Sequence, residues 1–369
     1  MIYLLFLVTL LLISCNPDQA KDNGKDETIE YFIPHRVEKD VDEMFEEYRY
    51  VPLETRDDAL IDVLYNVKNI AIFQEDIYIG SGEQLIVWDK YGKFKRVLSK
   101  KGNDPQSYLH FNHFMIWPNG DLSIASPIEI VTYSNSHQFI NKKRCENVGY
   151  IEAITLLNDS LYIIKCMPTP EQLRYRIINH HTGAIINSYD SIINCNRYIS
   201  SFTNSFERYE GHIISHGYQS NDILECTLDS SKIRYKINVD NRIPPAGFYT
   251  QEGKEGMQLI QEEAEKGYIG HIPDYVESKE TILLSFKGKR EDLNGIALID
   301  KKDGNARVLE NIKFDDNFRW LPKQFFSLDE GWCAMLMYPE DVLKKEEFAR
   351  RFPGLDEESN PVLFIGKLR

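Results

Sequence analysis

The sequence predicts an all-β protein, a six-bladed β-propeller with short helical insertions. Three observations carry this expectation. A degenerate unit of four short apolar strands recurs at a spacing of roughly 40 to 50 residues. Tyr and Phe, at 21 and 19 copies, suit half-buried sheets. A strand left over near the start, Tyr48–Leu53, can complete the last unit and close the ring.

The clearest unit runs through Asn69–Phe73, a turn at Gln74–Asp76, Ile77–Ile79, Leu85–Trp88, a turn at Asp89–Gly92, and Phe94–Leu98. Four strands in about 35 residues make one blade. The second has Phe114–Trp117, a Pro118–Asp121 turn, Leu122–Ile124, Ile128–Tyr133 and Phe139–Ile140. Ala153–Leu157, Leu161–Ile164, Tyr175–Ile178 and Ala184–Ile186 form the third. A fourth, less regular, spans Phe202–Tyr209, His212–Ile214, Ile223–Leu228 and Ile233–Val239. The fifth runs from Tyr275–Glu277 through Thr281–Leu284 and Gly295–Ile299 to Ala306–Leu309. The sixth holds Phe325–Ser327 and Trp332–Met337 and regains a strand only at Pro361–Lys367. Alternation of apolar and polar residues, with Asp, Asn and Gly between runs, is the strand signal throughout.

Two interruptions read as helices, near 254–267 and 339–352. In the first, Met257, Ile260 and Ala264 share a face. The second opens on Pro339-Glu340-Asp341, and acids in a first turn suit the helix dipole.

Residues 1–14 are uncharged and apolar, too short for an ordinary span, and read as a signal peptide. Leu12-Ile13-Ser14-Cys15 resembles a bacterial lipoprotein signal, so Cys15 is expected to carry the lipid. Residues 15–30 then form a polar tether, and residues 31–369 the propeller. The expected location is the bacterial outer membrane, on its periplasmic or outer side, with the membrane reached through the acyl chains on Cys15.

The formal charge of −14 argues against nucleic acid, whose binders need basic patches. Of six cysteines, the five after Cys15 are widely spaced and include no CxxC pair. They read as small core residues, although an oxidising compartment would permit one disulfide.

Three segments resemble the six-bladed β-propeller lipoproteins of Bacteroides-type bacteria, related in architecture to NHL-repeat and TolB-like propellers. They are Tyr50-Val51-Pro52-Leu53-Glu54-Thr55, the run Ile86–Arg96 with Trp88-Asp89 and Gly92-Lys93-Phe94, and Asn360-Pro361-Val362-Leu363. The loop Lys101–Tyr108 keeps Gly102, Pro105 and Tyr108 of that family's Gly-x-Gly-Pro-Gly-Glu-Tyr pattern and departs from the rest. A tight turn between blades is its expected role.

No nucleophile elbow, phosphate loop, dinucleotide fingerprint or zinc-protease motif occurs, and no cofactor is implied. The metal candidates are His110 and His113, three apart in an alternating segment, and His212, His216 and His271 near blade starts. Two functional readings follow. One is a non-catalytic binding module of the cell envelope, taking a glycan, peptide or envelope protein where the blade-connecting loops converge. The alternative is a metal-dependent lyase or hydrolase with its site in the central channel, as the NHL-like resemblance allows.

Overall fold

In a computed structural model of the chain, the described residues are 29–33, 36–61, 66–145, 148–167, 173–191, 206–216, 220–245, 247–251 and 253–369. The chain enters through β1 (Ile29–Ile33), β2 (Arg36–Asp40), the single-turn α1 (Val41–Met44) and β3 (Phe45–Pro52). Four antiparallel strands follow as the first sheet: β4 (Val67–Phe73), β5 (Asp76–Ser81), β6 (Gln84–Trp88) and β7 (Phe94–Leu98). The second is β8 (His113–Ile116), β9 (Leu122–Ser126), β10 (Glu129–Tyr133) and β11 (Phe139–Arg144). The third is β12 (Ile151–Leu156), β13 (Leu161–Cys166), β14 (Leu173–Asn179) and β15 (Ile185–Ser191). The fourth is β16 (Phe206–Tyr209), β17 (His212–Ser215), β18 (Asp222–Cys226) and β19 (Ser231–Val239).

After α2 (Gly256–Lys266) comes a fifth sheet of β20 (Ile269–His271), β21 (Tyr275–Glu277), β22 (Thr281–Gly288), β23 (Gly295–Asp300), β24 (Ala306–Lys313) and β25 (Arg319–Trp320). The sixth holds β26 (Phe325–Ser327) and β27 (Trp332–Met337), then the short α3 (Pro339–Val342) and α4 (Glu346–Ala349), and β28 (Val362–Leu368). Its fourth strand is β3, supplied from the other end of the chain, with Pro52 opposite Val362 and Glu47 opposite Lys367.

The sheets stand around one axis as a β-propeller. β4, β8, β12, β16, β21 and β26 each pack beside the next, and β26 returns to β4. Apolar clusters fill the space between consecutive sheets. Ile77 and Ile79 face the sixth sheet while Tyr78, between them, faces the second. Ile163 and Ile164 divide in the same way between the fourth and second sheets. Both faces of a middle strand are thus covered, so β5, β9 and β13 are buried over nearly their whole length, polar residues included, where simple alternation was expected.

One interface also holds a saturated charge. The Glu277 carboxylate, fully buried, accepts from Arg234 Nε and Nη2 at 2.9 Å each, from Tyr235 and Tyr275 at 2.9 and 2.8 Å, and from Lys301 at 2.8 Å. Burial alone would raise its pKa, but these donors hold it below the ordinary glutamate value.

Three expectations are corrected. Ile29 and Glu30, expected at the end of the tether, belong to β1, which runs parallel along β19 while β2 runs parallel along β24. The stretch 339–352 is two single-turn helices and a closing turn, and its Val342, Phe348 and Phe352 fill the cluster between the fifth and sixth sheets. α2 is present, with a capping box between Glu255 and Gln258, but it buries Gly256, Leu259 and Glu263 and leaves Met257 exposed. A carboxyl occupies the inward stripe, which hid that face from an apolar count. The signal segment and Cys15 lie outside the described residues, as does Cys195; Cys145, Cys166 and Cys333 are free thiols.

Gly92 of the β6–β7 turn has φ +82°, and a Cβ there would stand 2.1 Å from the Pro52 carbonyl oxygen on the closing strand. Gly92→Ala is therefore expected to cost about 2–4 kcal/mol through backbone strain and steric clash. In a chain of this size that lowers Tm by roughly 3–6 °C. Calorimetry checks it, and an unchanged Tm would refute the contact.

Candidate functional site

Antiparallel order places the start of each sheet's first strand and the end of its second at one end of the ring. Polar side chains gather there. His110 Nδ1 lies 3.1 Å from Glu83 Oε1, the Phe111 amide donates to Glu83 Oε2 at 2.8 Å, and Lys101 reaches the same carboxylate. Burial would raise the Glu83 pKa, but these three partners lower it. Tyr150 donates to Asn112 Oδ1 at 3.2 Å. Buried Lys165 donates to the His216 carbonyl at 2.5 Å, and His216 Nδ1 lies 3.0 Å from the Ile272 carbonyl oxygen. Burial pushes the His216 pKa down to about 3, so its ring is neutral at physiological pH. Asp274, also buried, accepts from Ser285 Oγ at 2.6 Å and is pushed up to about 6, chiefly by desolvation.

A wider concavity lies elsewhere among the described residues, at the seam where the sixth sheet meets the first. It is a cleft of about 910 Å³, walled by the β3–β4 connection, the β6–β7 turn and the long β27–β28 connection. Buried Asn360 builds its floor. Its side-chain amide donates to the carbonyls of Glu54 and Ala59 at 3.0 and 2.9 Å, and its Oδ1 accepts from the Ile61 amide at 2.8 Å. Trp88 Nε1 donates to the same Glu54 carbonyl at 3.3 Å, and the Glu54 amide to the Gly92 carbonyl at 2.8 Å. The three segments that resemble the lipoprotein propellers therefore converge on this seam. Glu54, Asp57, Glu340, Asp356, Glu357 and Glu358 line the cleft against only Lys93 and Arg351. Leu60 and Tyr91 stand exposed within it, at 44% and 71%.

The five histidines proposed as metal ligands do not come together. His110 pairs with Glu83 of the first sheet, and His212 with Glu225 of the fourth at 3.0 Å. His113 is buried on the inner strand β8, His216 faces a backbone carbonyl, and His271 bridges to Ser220. Among the described residues, no three His, Cys, Asp or Glu side chains form a group able to hold a metal ion. Sequence spacing could not reveal the cleft, because its walls come from segments some 300 positions apart, although the Pro-rich acidic stretch 353–361 offered a signal.

Asp274 makes a pH prediction. A carboxyl whose folded pKa is raised favours the neutral form, so its contribution to stability is full below about pH 4 and is lost as pH rises through about 6. The stability of the wild type relative to Asp274→Asn should fall across that window in denaturant titrations. Parallel profiles would refute the assignment.

None of the curated proteins matches the chain. Among solved structures it is similar to a Bacteroides fragilis protein provisionally described as exported, with 13% identity and a TM-score of 0.72, covering 92% of this chain and 99% of that one. It is also similar to a DUF4221 family member from Bacteroides vulgatus, with 11% identity and a TM-score of 0.51, covering 88% and 97%. At such identities the likeness bears on the fold, and it agrees with the propeller. The family described as "Domain of unknown function (DUF4934)" matches residues 28–367, and the chain belongs to that family.

Proposed function

We propose that this chain is an exported, lipid-anchored propeller of six blades that binds a cationic partner in the seam cleft and does not transform it chemically. The cleft carries the proposal. Six carboxylates against two cations, in a concavity with low-dielectric walls, raise the local concentration of positive ligands. The exposed Tyr91 ring already takes the Lys90 ammonium 5.4 Å from its centroid, a contact a ligand cation can share or replace, and Leu60 offers a patch for an aliphatic side chain. A basic peptide or a basic loop of an envelope protein fits this lining better than a neutral glycan.

Six separate sheets, with six inner strands in a closed circuit, support the blade count. The provisional description of the Bacteroides fragilis relative supports export. The Leu12–Cys15 pattern supports lipidation.

Fluorescence polarisation with a labelled Lys/Arg-Pro peptide tests the cleft, with a neutral oligosaccharide as contrast. Binding of the peptide should weaken as salt rises from about 0.05 to 0.5 M, because screening shortens the reach of the carboxylates. Asp356→Lys combined with Glu358→Lys should weaken it at least tenfold. Equal affinity in that variant, or binding indifferent to salt, would overturn the proposal. Separately, Cys15→Ala should abolish acyl labelling and release the chain from membranes; unchanged retention would refute the anchor.

A further inference from the structure

The outer strand of each sheet offers unpaired backbone groups to any other strand, and proteins protect such edges with charge, proline or a cover. Five of the six outer edges here are protected. β7 carries Lys95 and Arg96, β11 carries Lys142, Lys143 and Arg144, and β3 carries Glu46, Glu47 and Arg49 and ends at Pro52. β19 is covered by β1, which itself lies against β24, and β24 is covered by β2. β15 differs. Its sequence, IINSYDS, holds one charge, and no described residue pairs with its outer edge.

An apolar patch coincides with that edge. Ile185 and Ile186 are 43% and 52% exposed. Asn187 Nδ2 donates to the Leu228 carbonyl at 3.0 Å and the Tyr189 hydroxyl to the Thr227 carbonyl at 2.7 Å. These bonds hold the β18–β19 turn against β15 and bring exposed Leu228 to the same edge, with exposed Ile233 just beyond the turn.

We propose that β15 is a self-association edge, where two copies of this chain pair their β15 strands antiparallel across a two-fold axis near Ile186. The occupant follows from charge and symmetry. Copies carrying −14 each repel wherever their charged surfaces meet, and β15 is the outer edge poorest in charge. An antiparallel edge is complementary to itself, because a two-fold axis matches each strand's donors to the other's acceptors. It also sets Ile185 and Ile186 of one copy against those of the other. So short a pairing makes a small interface, and the dimer is dissociable.

Sedimentation equilibrium of the purified chain between about 1 and 200 µM tests this, since micromolar dimers dissociate within that range. A monomer–dimer equilibrium is expected, weakened at least tenfold by Ile186→Lys and unchanged by Ile140→Lys on the charged edge β11. Hydrogen exchange at residues 185–189 should slow as concentration rises. If circular dichroism shows Ile186→Lys to be unfolded, Ile186→Thr takes its place with a smaller loss of the same sign. A monomer throughout the range, or a dimer insensitive to position 186, overturns the proposal.

Discussion

The pairing of β3 with β28 is the constraint on which the rest of the molecule depends. Every sheet has two apolar faces, and each packs against a neighbour around the ring. An open ring would leave the first and sixth sheets with a bare face each. Six consecutive register pairs, and a seventh beyond a bulge, between residues more than 300 positions apart prevent this. Gly92, which alone leaves room for the Pro52 carbonyl, and Asn360, which ties down Glu54 and Ala59, lock the same seam.

The cleft follows from that lock. The closing strand must leave the sixth sheet, cross to the first and begin β4, and the β27–β28 connection projects over the same place. The segments that hold the ring shut are therefore also the walls of the candidate binding site. Any ligand that bridges the 53–61 and 351–361 segments adds its binding free energy to the closed form, so occupancy and ring integrity are thermodynamically linked.

Much of the fold was legible because burial on both faces leaves long apolar runs. The units beginning at Asn69, Phe114, Ala153 and Tyr275 coincide with sheets, and Tyr48–Leu53 was recognisable as a strand without a local partner. β2 was not legible, since its Arg-Val-Glu-Lys-Asp run carries no apolar pattern and is held through backbone pairing to β24. The inward face of α2 was misread because Glu263 sits where a hydrophobe was expected. The cleft escaped for a topological reason. Tyr50–Thr55, Ile86–Arg96 and Asn360–Leu363 stood out one by one, but no periodicity connects residues that meet only after the ring has closed.

The parallel pairing of β1 and β2 also decides how the molecule bears a load. A pull directed along β1 loads its parallel pairing with β19 in shear, so these hydrogen bonds share the force and do not open one at a time. Only after β1 slips does tension reach β2 on the fifth sheet, and only after β2 does it reach β3. The two marginal strands work as strain relief ahead of the seam, sparing the one pairing whose rupture would unravel the ring.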